Sequence, residues 1–371
     1  MTQTDPPSPP PPPPHSGSTI TIVAPMREDK GSNIVVVADA QGYWKATLEP
    51  VQASMASHNI TISGTTPSGG VYAPRTARNV RYGEVIICGG QSNMDRVVAY
   101  DVDNGTAEIA ASTAYPNIFL YTQKGVKPLG GEAAGAQPQG FQTGSWLRAA
   151  PATVANYSAV CYETGRQLVD RRLGRSCPLG LLWTAVGGTP VQRWMPKEAF
   201  AAPGCDQTPS PKAGDGDLYE QIIAPLANYS HRGVLWFQGE ANLDGPPQQR
   251  PSYLGDKYGA CFQAMIAAWR NAFGIGDFSF VFVQLAPYLN KGNITELRLQ
   301  QATALPRPGI GEGTDSTGMA VTIDKGDICT NSPPFRKTRL FVTSQAAAQT
   351  VASILTTKPR LRSAPHWPSC T

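Results

Sequence analysis

The sequence predicts an α/β protein, a three-layer α/β/α sandwich with a mainly parallel sheet, preceded by a small, truncated β-sandwich-like domain. From Val85 onward, short apolar runs of buried-strand length alternate with stretches of helical spacing, the signature of strand–helix–strand units. Three of those runs end in glycine-containing turns, at Gly89-Gly90, Gly187-Gly188 and Gly239. A parallel sheet would bring all three turns to one edge. Before Tyr82 the pattern differs: strand-like runs alternate with turn residues and no helical period is present.

Length fits this division. The 371 residues exceed one typical domain and divide into a proline-rich tail (1–17), a β-rich accessory domain (18–82), a large α/β domain (83–357) and an irregular C-terminal tail (358–371). The formal charge of +4 is spread without a basic run, which argues against nucleic acid or a membrane surface as the main partner. No apolar stretch nears the roughly 18 residues that span a bilayer. The seven cysteines lack metal-site spacing, and no metal or organic cofactor is expected. Cys88 and Cys261, in apolar contexts, read as small core residues; Cys177 and Cys205, beside Pro and Gly, read as disulfide partners in an exported protein. Sequons at Asn59, Asn104, Asn156, Asn228 and Asn293 fit a secretory route. The opening Met1-Thr2-Gln3-Thr4-Asp5 leads into proline without a signal-peptide pattern, so either the chain is cytoplasmic or its natural start lies upstream.

In chain order, residues 6–14 are nearly all proline and predict an extended polyproline-type tail. Strand-like runs follow at 19–23, 34–37, 43–48 and 59–62, with Asp39-Ala40-Gln41-Gly42 as a hairpin loop whose glycine supplies a positive φ. Residues 85–88 form a buried strand. Residues 101–143 have poor periodicity and abundant Gly, Ala and Thr, and read as long loops over strand ends. Ser158 caps a helix in which Cys161, Gly165, Leu168 and Arg172 recur at helical spacing, ending at Gly174. The next buried strand is 179–186, followed by a helical stretch at 219–227 and a strand at 233–237. Leu254, Tyr258, Cys261, Met265 and Trp269 mark the apolar face of a core helix. A strand at 279–285, a helix at 296–304 and a strand at 319–323 complete the alternation, and 345–355 has helical character.

The serine turn organises the rest. The apolar run Val85-Ile86-Ile87-Cys88 leads into Gly89-Gly90-Gln91-Ser92-Asn93-Met94, a strand ending in a tight turn that can hold Ser92 clear of the sheet where a helix begins. On this stretch alone, an exposed nucleophile and a plain helix cap are equally good readings.

GGQSNM is followed in order by GLLWTAVGGTPVQRW (180–194), GVLWFQGEAN (233–242) and VTIDKGDI (321–328). Together these motifs resemble the sialate O-acetylesterase family within the SGNH (GDSL-like) hydrolases, over roughly residues 34–327. The resemblance implies an SGNH-like fold and a serine carboxylic-ester hydrolase that removes O-acetyl groups from carbohydrate, sialic acid or a related sugar, in a secreted or lysosomal setting. It also implies a missing N-terminal strand. Ser92 is the implied nucleophile. Attack on an ester carbonyl builds negative charge on oxygen, and pre-aimed donors stabilise it by roughly 3–4 kcal/mol each. The implied donors are the N–H groups of Ser92 and Gly188 and the side-chain amide of Gln238 or Asn242, with Glu240 orienting its neighbours. Gln192, Arg193 and Trp194 would line the acyl or sugar side. Trp146 and Arg148 stand in a phrase the family carries near its pocket, although packing explains Trp146 equally well.

One block departs from the pattern. Family members place an Asp and a His a short step apart after the final strand, the His taking the serine proton. Here Asp324-Lys325-Gly326-Asp327-Ile328-Cys329 contains no histidine, and Asp327 is the remnant of that block. His15 lies in the proline tail, His58 in the β-rich domain and His231 before a strand at the end remote from the glycine turns; His366 lacks an acidic residue just upstream. Two accounts stand: loss of the base, leaving a glycan-binding pseudoenzyme, or departure from the natural reading frame near Cys329. Acetylated plant polysaccharide is the alternative substrate.

Overall fold

The computed structural model describes residues 16–24, 33–48, 51–100, 105–123, 145–205, 214–227, 229–243, 257–286, 294–305 and 316–323, with the backbone alone at 326–328 and 340–342. The chain separates into two units at Tyr82/Gly83. In the first, β1 (Thr19–Val23), β2 (Asn33–Val37), β3 (Ser54–Thr65) and β4 (Val71–Tyr82) form an antiparallel sheet ordered β2-β1-β3-β4. Period-two alternation along β1 buries Ile20 and Ile22, which pack with Ile34, Val36, Ile60 and Ile62. At the expected turn, Asp39 Oδ1 accepts from the N–H groups of Gln41 and Tyr43 and Gly42 has φ 82°. Residues 43–48, expected as a strand, carry no strand pairing; instead Trp44, Ala46 and Leu48 pack against the apolar cluster. β4 was not anticipated, because Arg75, Arg78 and Arg81 interrupt any apolar run; its backbone pairing with β3 over most of both strands builds it.

The second unit opens with β5 (Glu84–Gly90), α1 (Ser92–Asp95), α2 (Gly105–Ala111), β6 (Ile118–Thr122), β7 (Leu147–Arg148), α3 (Pro151–Val154), α4 (Ala159–Leu168) and β8 (Leu179–Trp183). It continues with β9 (Gly233–Phe237), α5 (Tyr258–Phe273), β10 (Ser279–Gln284), α6 (Ile294–Ala302) and β11 (Thr317–Val321), while β12 (Gly326–Ile328) and β13 (Leu340–Val342) pair separately. The seven-stranded sheet is ordered β11-β10-β9-β5-β8-β6-β7 and is parallel except for the short edge strand β7. β6 corrects the reading of 101–143 as loop. A five-residue strand there is buried at Ile118, Leu120 and Thr122 and pairs with β8. Residues 101–104 and 124–143 of that stretch, like the expected helix at 345–355, residues 1–15 of the N-terminal tail and the C-terminal tail, lie outside the described residues.

Strand alternation shows why the sheet is covered on both faces. Cys88 of β5 is paired with Trp183 of β8, and Ile86 with Leu181, so these four residues share a face. That is the face of α4: Cys161 is bonded to Cys88, and a Cβ on Gly165 would fall 2.6 Å from Leu181. Trp236 pairs with Phe282 and with Gly89, one position out of phase with Cys88, and so points the opposite way. There it meets Trp269 of α5 edge-on at 5.6 Å and, also edge-on, Trp194 at 5.5 Å. Each such fully buried ring contributes on the order of 2–3 kcal/mol to the core.

α4 begins as expected. The Ser158 hydroxyl accepts from Cys161 N at 3.3 Å, and the helix runs on through a wider turn over Val169–Leu173 to Gly174 at φ 71°. The cysteine reading needs correction. Cys88 and Cys261 are buried, but as partners in the disulfides Cys88–Cys161 and Cys205–Cys261; Cys177 is disulfide-bonded too. A disulfide half-cystine suits an apolar environment as well as a free thiol does, so local hydrophobicity does not discriminate between them.

Candidate active site

β5, β8 and β9 run parallel in register, so their C-terminal ends deliver three turns to one edge. At the end of β5, Gly90 has φ 142°, and a Cβ there would lie 2.1 Å from the Phe237 carbonyl oxygen. Only glycine permits this approach. It lets Gln91 N–H donate to Phe237 O at 2.9 Å and turns the chain so that Ser92, the first residue of α1, is exposed while Met94 is buried. The Ser158 hydroxyl donates to Met94 O at 2.7 Å and fixes α1 on the head of α4.

The turn after β8 lies opposite. Val186 N–H donates to Gly90 O at 3.0 Å, which ties the two turns together. The α-carbon of Gly187 faces the serine: a methyl there would sit 3.9 Å from both Cα and Cβ of Ser92 and 3.8 Å from Asp95 Oδ2. Gly188 follows at φ 71°, exposed and with open space around its α-carbon. Ser92 and the Gly187-Gly188 pair are therefore brought together at the rim.

Gln238 and Asn242 lie beneath that rim. The Gln238 carboxamide is fully buried, its nitrogen 2.8 Å from Asn242 Oδ1, 3.1 Å from Thr189 O and 3.2 Å from Gln91 Oε1, so its two hydrogens are shared among three interior acceptors. Its oxygen accepts from the Tyr258 hydroxyl at 3.0 Å, and burial raises the Tyr258 pKa, keeping that phenol protonated as a donor. Asn242 Nδ2 donates to Gln192 Oε1 at 2.9 Å, and Asn242 Oδ1 accepts from Val191 N–H at 3.1 Å. Loops folded under a rim leave backbone groups without ladder partners, and carboxamides, which donate and accept, meet that need. Gln192 and Trp194 belong to this layer, both buried, the indole N–H of Trp194 donating to Thr189 Oγ1 at 3.0 Å. Arg193 is held by Asp217 through two contacts, at 2.8 and 2.5 Å. Glu240 Oε1 accepts from Asn93 Nδ2 at 2.5 Å, joining the turn after β9 to α1.

The remaining expected residues are elsewhere. Trp146 packs on Gly180 near the start of β8, stacks with Tyr229 and meets Tyr121 at a tilt, while Arg148 lies over the Phe119 ring. His231 precedes β9, at the end opposite Ser92, and His58 belongs to the first unit. Asp327 is placed by its backbone only, on β12 opposite Phe341, outside the seven-stranded sheet. One residue at the site was not anticipated: Gln91, buried, with its side chain between Ser92 and the turn after β9. The only hint in the sequence is a polar amide set between two glycines and a serine at the end of a buried strand.

Comparison with known proteins shows what the chain is similar to. A family model described as carbohydrate esterase, sialic acid-specific acetylesterase, matches residues 155–332. Sialate O-acetylesterase from Rattus norvegicus is 26% identical over 86% of this chain and 64% of its own length, and that from Homo sapiens is 28% identical over 69% of this chain and 50% of its own. The chain thus spans less than two thirds of the length of these relatives. Among solved structures, a carbohydrate acetylesterase from Xanthomonas citri superposes with a TM-score of 0.65 at 26% identity, covering 92% of this chain and 68% of that one. In sequence over residues 155–332 and in overall fold, the chain is thus similar to sialic acid-specific acetylesterases and to a carbohydrate acetylesterase.

Proposed function

We propose that this protein is a serine carboxylic-ester hydrolase that removes O-acetyl groups from carbohydrate. One observation carries the reading: Ser92 is exposed at the C-terminal end of a central parallel strand, facing the α-carbon of Gly187 across the rim, on a bed of buried hydrogen-bonded amides. Ser92 Oγ would attack the acetyl carbonyl, the sugar C–O–acyl bond would break with the proton passing to the sugar oxygen, and water would release acetate from the acyl-serine. The N–H groups of Ser92 and Gly188 are the proposed donors to the oxyanion. Gln238 and Asn242, spent on interior partners, are assigned to holding the turns in place. Asp327 is proposed as the carboxylate of the proton-transfer block. The buried disulfides Cys88–Cys161 and Cys205–Cys261 favour an oxidising compartment, and a secreted or lysosomal setting fits them.

A second reading has an observation of its own. Among the described residues of the α/β unit, the one histidine, His231, precedes β9 and lies at the far end of that strand from Ser92. A glycan-binding protein that holds acetylated sugar without turnover would look the same at the rim. Release of p-nitrophenol from its acetate separates the two. The esterase reading expects the wild type to exceed Ser92→Ala by at least about 1000-fold, in line with loss of a nucleophile in a serine hydrolase. Equal rates would leave binding alone, and deacetylation of O-acetylated sialic acid against acetylated xylan would then identify the sugar for an active protein.

A further inference from the structure

Ester hydrolysis as described makes no use of Gln91, yet its side chain is 2% exposed and every polar atom in it is engaged. Its Oε1 accepts from three donors of one short segment: Gly239 N–H at 3.3 Å, Ala241 N–H at 3.1 Å and Gln238 Nε2 at 3.2 Å. Its Nε2 faces the other way, 3.5 Å from Ser92 Oγ. A planar carboxamide is suited to this place because it accepts at one end and donates at the other in fixed relation.

We propose that Gln91 is a positioning residue for the nucleophile, an assignment that rests on Ser92 being the reacting group. By donating to Oγ it occupies one lone pair of that oxygen and leaves the serine hydrogen directed to the exposed side, where acyl group and proton acceptor arrive. The anchored end fixes the donating end, so the turn after β9 sets the Ser92 hydroxyl direction through Gln91. As Oγ surrenders its proton to the acceptor, the same N–H faces a growing negative charge, and the hydrogen bond strengthens as charge-assisted bonds do.

The test compares wild type, Gln91→Glu and Gln91→Met in the full chain, reading steady-state p-nitrophenyl acetate turnover and the pre-steady-state rate at which that ester acylates Ser92 with release of p-nitrophenol. Gln91→Glu keeps an oxygen for the three N–H donors but loses the donor to Oγ. We expect a kcat and acylation rate lower by about 10- to 100-fold, the size of effect that misplacing a reacting group produces, with KM changed less than about threefold. Lowering the pH protonates the introduced carboxyl and restores an O–H donor, so the ratio of Gln91→Glu to wild-type rate rises toward acid. Gln91→Met, similar in length but without the amide, is slow at every pH with a flat ratio, and it carries the test alone if Gln91→Glu does not fold. Wild-type acylation rates in either folded variant, or a pH-flat ratio in Gln91→Glu, overturn the assignment. If wild type is acylated no faster than Ser92→Ala, the esterase reading itself fails and the assignment falls with it, an outcome distinct from failure at Gln91 alone.

Discussion

His231 shows how one half-buried side chain ties stability to pH. Its ring lies edge-on to Phe273 and Phe278, with centroids 4.4 and 4.6 Å away, and Nδ1 is 3.3 Å from the Tyr229 carbonyl. Burial pushes its pKa down to about 4, the bond to Tyr229 only partly offsetting it. The unfolded chain holds an ordinary histidine near pH 6.5, so between pH 6.5 and 4 the unfolded state binds the proton that the folded state refuses. The stability that His231 confers as a neutral ring is complete above about pH 6.5 and falls as pH drops toward 4, by up to about 3 kcal/mol. Urea unfolding of wild type and His231→Phe at pH 7 and pH 4 checks this. The wild type should lose more than the variant over that interval, and equal losses would show the ring is not responsible.

At the scale of elements, the site is an arrangement of turns whose glycines are not interchangeable. Gly90→Ala would drive a methyl to 2.1 Å from a backbone oxygen of β9, which cannot move without parting two central strands. Its expected effect exceeds about 3 kcal/mol and removes activity. Gly188→Ala meets nothing within 4 Å and carries only the strain of φ 71°, about 1–2 kcal/mol, so the protein stays folded. Denaturant midpoints of the two variants test the contrast, and near-equal losses would mean the β5–β9 approach is looser than described. The apolar runs 179–183 and 233–237 announced their strands because burial on both faces needs an uninterrupted apolar string. Capping chemistry likewise announced α4 at Ser158. β6 and β4 were not legible, one a short strand within a Gly- and Ala-rich stretch, the other an exposed hairpin arm whose pairing is a backbone matter. At the site, Ser92 and the glycine turns could be read locally, but the inward turn of Gln238 and Asn242 could not. Gln238 is set by partners 147 and 49 residues away, and Asn242 by partners 50 and 51 away, which no local pattern encodes.

For the molecule as a whole, the crosslinks decide how the α/β unit comes apart. Cys88–Cys161 fastens β5, the strand that carries Ser92, to α4, and Cys205–Cys261 fastens the segment after residue 201 to α5. They span 73 and 56 residues, so each restricts the unfolded chain by about 4 kcal/mol in the loop-entropy account. That is a large fraction of the 5–15 kcal/mol by which a domain is typically stable. All four sulfurs belong to fully buried residues, so a reductant reaches them only when the unit opens. Two results follow from the same geometry. Under native conditions, millimolar dithiothreitol should leave esterase activity unchanged over hours, whereas protein unfolded, reduced and returned to buffer should show a denaturant midpoint lowered by the equivalent of about 4 kcal/mol per missing crosslink. Cys88→Ala with Cys161→Ala isolates the crosslink nearest the site. Because it joins the serine strand to the helix whose head holds α1, its loss should weaken the unit and reduce kcat together, while removal of Cys205 and Cys261 should lower stability with kcat preserved. Rapid inactivation of the native protein by reductant would place those sulfurs within reach of solvent, and the helix–strand contact at Cys88 could not then be the rigid support that Ser92 requires.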